Sequence, residues 1–247
     1  MNLNDANIAL VHDWFIKNSF GGGENVTFSI KQLFSENYSV PDIFAITSNI
    51  KKIDNMSSEE NNIRTSFIQK LPFGKNHVQN YLPFLPFAIE QFDLRKYDLI
   101  VTSSHAFAKG ILTSPEQLHV SYVHTPMRYA WDQMHTYIKQ SSFSRFGFEY
   151  LIRYILFNLR QWDFTSSQRI DHLICNSKFT AKRIQKYWGL KSEVIHPPVE
   201  IERFICNNPR DNFYLTVNRL VPNKRVDLLI KAFNKLGLPL IIIGEGS

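Results

Sequence analysis

Three stretches of this sequence bring together residue types that can hold an anion or move a proton. The first is His12-Asp13-Trp14, followed by Gly21-Gly22-Gly23-Glu24. Glycines at a helix start let backbone N–H groups approach an anion closely, and the helix N-terminus adds positive potential. A flexible turn, with Glu24 complementing the helix dipole, is the simpler alternative. The second stretch runs from Tyr122 to Asp132, and in it His124 directly follows an apolar run while Pro126 turns the chain. An imidazole there can hydrogen-bond or exchange protons near neutral pH, or pack as a neutral loop histidine. The third stretch is Val217-Asn218-Arg219-Leu220-Val221-Pro222-Asn223-Lys224-Arg225-Val226-Asp227. Cations at a helix start oppose its dipole, so a diphosphate ligand accounts for Arg219 and Lys224 better than helix stability does. A solvated cationic turn is the alternative.

These residues need elements to position them. Short runs rich in Ile, Val and Leu recur at residues 8–11, 43–46, 98–101, 118–123, 172–175, 193–195, 213–217 and 238–243. Amphipathic stretches at helical spacing lie between them, at 24–34, 78–92, 143–166, 178–188 and 224–236. Buried strands alternating with helices predict an α/β fold with a parallel sheet. In such sheets ligands bind beyond the carboxyl ends of the strands, which is where His12-Asp13-Trp14, His124 and Arg219 fall. His196-Pro197-Pro198 forces an extended segment. The expected organisation is therefore a domain over 1–195, a linker over 196–212 and the start of a second domain over 213–247. A lone strand–helix–strand unit exposes an apolar strand, so the chain reads as part of something longer.

Several function classes lack their residues. There is no G-x-G-x-x-G, and the second strand ends in Thr47-Ser48-Asn49 rather than an acidic residue for a ribose, which disfavours a nicotinamide dehydrogenase. No P-loop motif occurs. Cys175 and Cys206 have no metal-ligand spacing and fit a reducing compartment. A net charge of +6 favours anionic partners, but no nucleic-acid-binding motif accompanies it. The N-terminus lacks a signal peptide pattern, and no apolar run approaches the roughly 20 residues of a spanning helix. A cytoplasmic protein is expected. Residues 143–162 mix aromatics with Arg145, Arg153 and Arg160. They form either an ordinary domain helix with a buried stripe or a basic surface lying on anionic lipid.

The motifs taken together resemble a known family. Arg219-Leu220-x-x-x-Lys224-Arg225-x-Asp227-x-x-Ile230-x-Ala232-Phe233, then Gly244-Glu245-Gly246, resembles the donor-domain opening of family-four glycosyltransferases. Upstream, Gly22-Gly23-Glu24, Ser103-Ser104-His105, His124-Thr125-Pro126, Asn176-Ser177 and His196-Pro197-Pro198-Val199 match it in order. The set is most similar to bacterial mannosyltransferases of O-antigen and exopolysaccharide assembly. The resemblance implies a GT-B fold of two Rossmann-like domains, one for the acceptor and one for a nucleotide sugar. It implies that Arg219 and Lys224 bind the donor diphosphate, with the backbone of Gly22 and Gly23 approaching it, and that His124 lies beside the transferred sugar. Asp13, Trp14, Glu24, His105, Arg128, Asp132 and Asn176 are candidates for acceptor or cleft contacts. The family's later paired-glutamate element has no counterpart before Ser247, so negligible turnover is expected of the chain as it stands.

The implied donor is GDP-mannose and the implied acceptor a glycan or lipid-linked glycan, with retention at the anomeric carbon. No Asp-x-Asp occurs, so Arg and Lys rather than a metal are expected to stabilise the leaving diphosphate. No cofactor is expected. A sugar-nucleotide epimerase of the same architecture and a non-catalytic acceptor- or partner-binding domain are the competing readings.

Overall fold

The computed structural model describes residues 2–17, 21–50, 63–140, 147–202, 211–221 and 224–246. Arg145, Cys206, Pro222 and Asn223 lie outside them. The chain divides into two compact units, Met1–Pro198 and Val199–Ser247.

In the first unit seven strands form one parallel sheet: β1 (Ile8–Phe15), β2 (Asp42–Ser48), β3 (Ile63–Thr65), β4 (Leu99–Ser104), β5 (Leu118–Val123), β6 (His172–Cys175) and β7 (Glu193–Val194). Their spatial order is β3-β2-β1-β4-β5-β6-β7. The direction of winding reverses between β1 and β4, which opens a crevice at their carboxyl ends. This is the α/β parallel-sheet architecture expected from the sequence, of the Rossmann-like type. Helices α1 (Gly22–Asn37), α2 (Leu85–Glu90), α3 (Met134–Gln140), α4 (Glu149–Ser167) and α5 (Lys178–Trp188) complete the unit.

Side chains alternate across a strand, and the two faces of β1 and β4 separate accordingly. Ala9, Val11 and Ile100 join the core under α2 and α4, with Leu156 and Leu159. Ile8, Leu10, Leu99 and Val101 face α1, against Ile30 and Phe34. The central strands are buried on both faces, so their sequences read as continuous apolar runs.

Several boundaries differ from the sequence reading. β1 continues through His12 and Asp13 to Phe15 because both polar side chains find buried partners within the fold. The helix expected over 78–92 is a 3-10 turn over Val78–Phe84 followed by α2, with Pro83 and Pro86 breaking the pattern. β3 supplies only a three-residue edge, too short for a periodic signal.

A buried ion pair joins α4 to the 3-10 turn that follows β4. Lys109 Nζ donates to Asp163 Oδ1 at 2.7 Å, and both are essentially inaccessible. Asp163 Oδ2 accepts from the indole N–H groups of Trp131 at 2.7 Å and Trp188 at 2.8 Å. Beside it a Cβ on Gly110 would lie 2.2 Å from the Trp162 ring, so only glycine permits this approach.

The second unit contains the parallel pair β8 (Tyr214–Val217) and β9 (Leu240–Ile243) with α6 (Val226–Leu236) between them in sequence. Gly237 closes α6 in the left-handed conformation at φ +65°, which glycine adopts without a Cβ penalty.

Removing one partner of a buried pair leaves an uncompensated charge. Lys109→Met is expected to destabilise the protein by about 3–5 kcal/mol, read from urea unfolding followed by tryptophan fluorescence.

Candidate active site

The carboxyl ends of β1, β4 and β5 carry a connected polar cluster on the face covered by α1. His12, Ser103 and His124 meet there, because each follows the alternation of its strand toward that face. His12 Nδ1 lies 2.8 Å from the Ser103 carbonyl. That oxygen can only accept, so Nδ1 carries the proton and Nε2 is left as a lone pair. Nε2 is buried and has no hydrogen-bond partner among the described residues. Thr27 of α1 completes the link. Its hydroxyl lies 3.1 Å from His12 Nδ1, 2.8 Å from Ser103 Oγ and 2.9 Å from the Gly23 carbonyl, which can only accept its single proton. Ser103 Oγ in turn lies 2.9 Å from His124 Nε2.

Burial sets the charge state of this cluster. It pushes His12 down to about 3, with the nearby His105 adding to the effect and Asp13 opposing it. It likewise pushes His124 down to about 4, again aided by His105. Both imidazoles are therefore neutral at pH 7. His124 can exchange a hydrogen bond or take up a proton during a reaction, but it brings no standing positive charge.

Asp13 does a different task from the one expected of a cleft residue. It is wholly buried on the opposite face of β1. Its Oδ2 accepts from the backbone N–H of His105 at 2.7 Å and Ala106 at 3.3 Å, and Oδ1 from Phe107 and from Ala108 at 2.9 Å. His105 Nδ1 approaches at 3.1 Å. Burial alone would raise this carboxyl, but His105, His12 and the N–H donors outweigh it and hold it below the ordinary aspartate range. His105 is partly open, and its ring meets the edge of Trp14 at 4.6 Å.

Three other candidates also have structural partners. Glu24 is buried, and its carboxylate accepts from Gly21 N–H at 2.9 Å, closing the first turn of α1. Asp132 forms a two-pronged pair with Arg183 of α5, at 2.8 and 2.9 Å. Asn176 donates to the His124 carbonyl at 3.0 Å and accepts from Thr180 at 2.7 Å, so it locks the loop that carries His124. Arg128 is half-buried and has no carboxylate partner among the described residues.

The Gly-rich start of α1 lies over this cluster. A Cβ on Gly23 would lie 3.6 Å from both His12 Cε1 and His124 Nε2, whereas one on Gly22 would meet nothing within 4 Å. The surface above Gly22 is therefore open space. In the second unit Arg219 and Lys224 are exposed on the turn after β8. Gly244 would bring a Cβ to 1.8 Å from the Asn218 carbonyl, and Gly246 to 2.4 Å from the Leu220 carbonyl. The turns after β8 and β9 thus pack backbone to backbone, joined by Leu220 N–H donating to the Glu245 carbonyl at 2.8 Å.

His12 and Ser103 fall within motifs that the sequence marks, but residue type and spacing give neither a role of its own, and Thr27 is in no motif. The parity of β1, β4 and β5 places the first two on the face of His124. Thr27 carries no local signal, since its role comes from the packing of α1 on the sheet.

A doubly wound parallel sheet with a polar cluster at its switch point defines a Rossmann-like ligand-binding domain. The model of Glycosyltransferase Family 4 matches residues 20–203. The chain belongs to that family, whose general function is glycosyl transfer between a nucleotide sugar and an acceptor. No curated protein sequence matches the chain. The match spans Gly22, Gly23 and His124 and ends before Arg219 and Lys224.

Buried neutral histidines make stability depend on pH. His12, His124 and also His119, which burial pushes down to about 4, stay neutral in the folded chain. Unfolded histidine titrates near 6.5, so below that pH the unfolded state binds more protons. Stability is expected to fall as pH drops from about 6.5 toward 4, by up to about 1.4 kcal/mol per pH unit for each histidine. Urea midpoints at pH 7, 6 and 5 check this, and a constant midpoint would contradict the buried neutral assignment.

Proposed function

We propose that the protein transfers a hexose, mannose from GDP-mannose, to a lipid-linked glycan in cell-surface polysaccharide assembly, at the cytoplasmic face of the membrane. The observation that carries this reading is the hydrogen-bonded His12–Thr27–Ser103–His124 cluster under the open glycine backbone, inside the region matched to the family. His124 is the residue beside the transferred sugar, and Ser103 and Asn176 fix its ring and its loop. Gly22 and Gly23 give the diphosphate a close approach to backbone N–H groups. Arg219 and Lys224 stabilise the leaving diphosphate as the glycosidic bond to it breaks, and the reaction retains anomeric configuration without a metal. Trp14, His105 and Arg128 are side chains with surface available to an acceptor.

The test is nucleoside diphosphate release from several nucleotide sugars, with and without a lipid-linked acceptor, in the natural full-length coding sequence. Release that needs no acceptor would favour an epimerase, and loss of activity in EDTA restored by magnesium or manganese would refute the metal-free mechanism. A charge-assisted hydrogen bond contributes about 1.5–3 kcal/mol. Arg219→Ala and Lys224→Ala are each expected to lower kcat/KM by roughly ten- to a few hundred-fold.

Gly22→Ala separates function from packing. A methyl there meets nothing, and alanine is favoured over glycine in a helix by about 1 kcal/mol. Thermal stability is expected to hold or rise while kcat/KM falls at least tenfold. Unchanged kcat/KM would remove the glycine backbone from the donor site.

A further inference from the structure

The protons of the buried polar cluster can be placed one by one, starting from the two groups whose roles are fixed. His12 Nδ1 gives its proton to the Ser103 carbonyl at 2.8 Å, and the same N–H lies 3.1 Å from Thr27 Oγ1, toward which it can only donate. The Gly23 carbonyl, 2.9 Å from Thr27 Oγ1, can only accept. A hydroxyl has one proton to give and two lone pairs to receive. With the Thr27 proton on Gly23, the Ser103 hydroxyl at 2.8 Å must donate to Thr27 Oγ1. Its single proton is then used, so Ser103 Oγ is an acceptor toward His124 Nε2 at 2.9 Å. That nitrogen must carry the ring proton.

The opposite direction fails at one contact. Were Thr27 to donate to Ser103, and Ser103 to His124, Thr27 Oγ1 and the Gly23 carbonyl would face each other at 2.9 Å with no proton between them. Thr27, Ser103 and His12 are all wholly buried, and low local dielectric sharpens such a repulsion.

The ring of His124 is held so that its tautomer has a consequence. A Cβ on Gly23 would lie 3.6 Å from Nε2 and 3.7 Å from Cδ2, so this edge faces α1. Nδ1 lies on the other edge. It has no hydrogen-bond partner among the described residues, and it is not shut away from solvent as His12 Nε2 is.

We propose that Thr27 is a positioning residue for His124: acting through Ser103, it holds the imidazole in the Nε2–H tautomer and so leaves Nδ1 as a hydrogen-bond acceptor for the ligand. A nitrogen lone pair takes a hydroxyl and repels a phosphate oxygen, whereas the backbone N–H groups at Gly22 and Gly23 do the reverse. The cluster therefore keeps the charged and the hydroxylated ends of a nucleotide sugar apart. This consequence deepens the proposed function and rests on its placing of His124 beside the sugar; the tautomer rests on the hydrogen-bond chain alone.

The test is nitrogen-15 NMR of the histidine rings in the purified chain at pH 7, where burial keeps His124 neutral. Protonated and bare ring nitrogens resonate far apart, and the signals lost in His124→Gln identify the ring. Nδ1 is expected to be the bare nitrogen, and an Nδ1–H ring in the wild type would overturn the proposal before any variant is made. Thr27→Val keeps the side-chain shape but removes the oxygen that receives the Ser103 proton. Ser103 then donates to Nε2 instead, and the Nδ1–H form is expected to become the main one. Thr27→Ser restores the acceptor and is expected to restore Nε2–H. In the natural full-length protein Thr27→Val should lower kcat/KM about tenfold, with Thr27→Ser recovering most of the loss. A Thr27→Val ring still in the Nε2–H form, or equal losses of kcat/KM in the two variants, would reduce Thr27 to packing α1 on the sheet and overturn the proposal. Absence of any sugar transfer would sink the proposed function while the tautomer measurement still decides the hydrogen-bond chain.

Discussion

The carboxylate of Asp13 is the constraint on which the rest of the site depends. At the end of β1 it gathers the N–H groups of four successive residues, 105–108, as the chain leaves β4. Those four groups would otherwise be buried donors without acceptors, each costing about 1–3 kcal/mol. The carboxylate would equally be intolerable there without them. Each side of the arrangement requires the other, and together they fold the loop after β4 back over β1. That loop closes one wall of the switch-point crevice and delivers Phe107 and Ala108 to the core beneath α4.

On the other face of the same strands, His12 and Ser103 point toward α1. The two faces divide the labour by strand parity. Even-numbered His12 joins Thr27, Ser103 and His124 in a network open to the Gly22 side, while odd-numbered Asp13 fixes the backbone of the loop. A one-residue change of register would exchange them and destroy both. The position of His124 is thus set by the sheet's register, by Ser103 on the adjoining strand and by Asn176 holding its carbonyl.

A second buried acid, Asp163, anchors α4 and α5 by comparable means, collecting Lys109 and two indole N–H groups. Among the described residues, Arg128 in the first unit and Arg219 and Lys224 in the second have no carboxylate partner. No helix among the described residues is long and apolar enough to cross a membrane.

The sequence alone determined the alternation of buried strands and helices, and hence a parallel sheet with ligands at its carboxyl edge, because strand burial on two faces leaves apolar runs that no other architecture needs. It also marked His124 and the glycines before α1, since both sit where an apolar run gives way to residues poor at continuing it. Tertiary structure alone decided what the polar residues do. Asp13, Glu24 and Asp132 look like ligands in sequence, yet they serve a loop, a helix start and an inter-element pair. A hydrogen bond between residues 92 positions apart, such as His105 to Asp13, leaves no periodic trace. Apolar patterning is a local record of burial, whereas the partner of a buried charge is chosen by the three-dimensional meeting of distant strands.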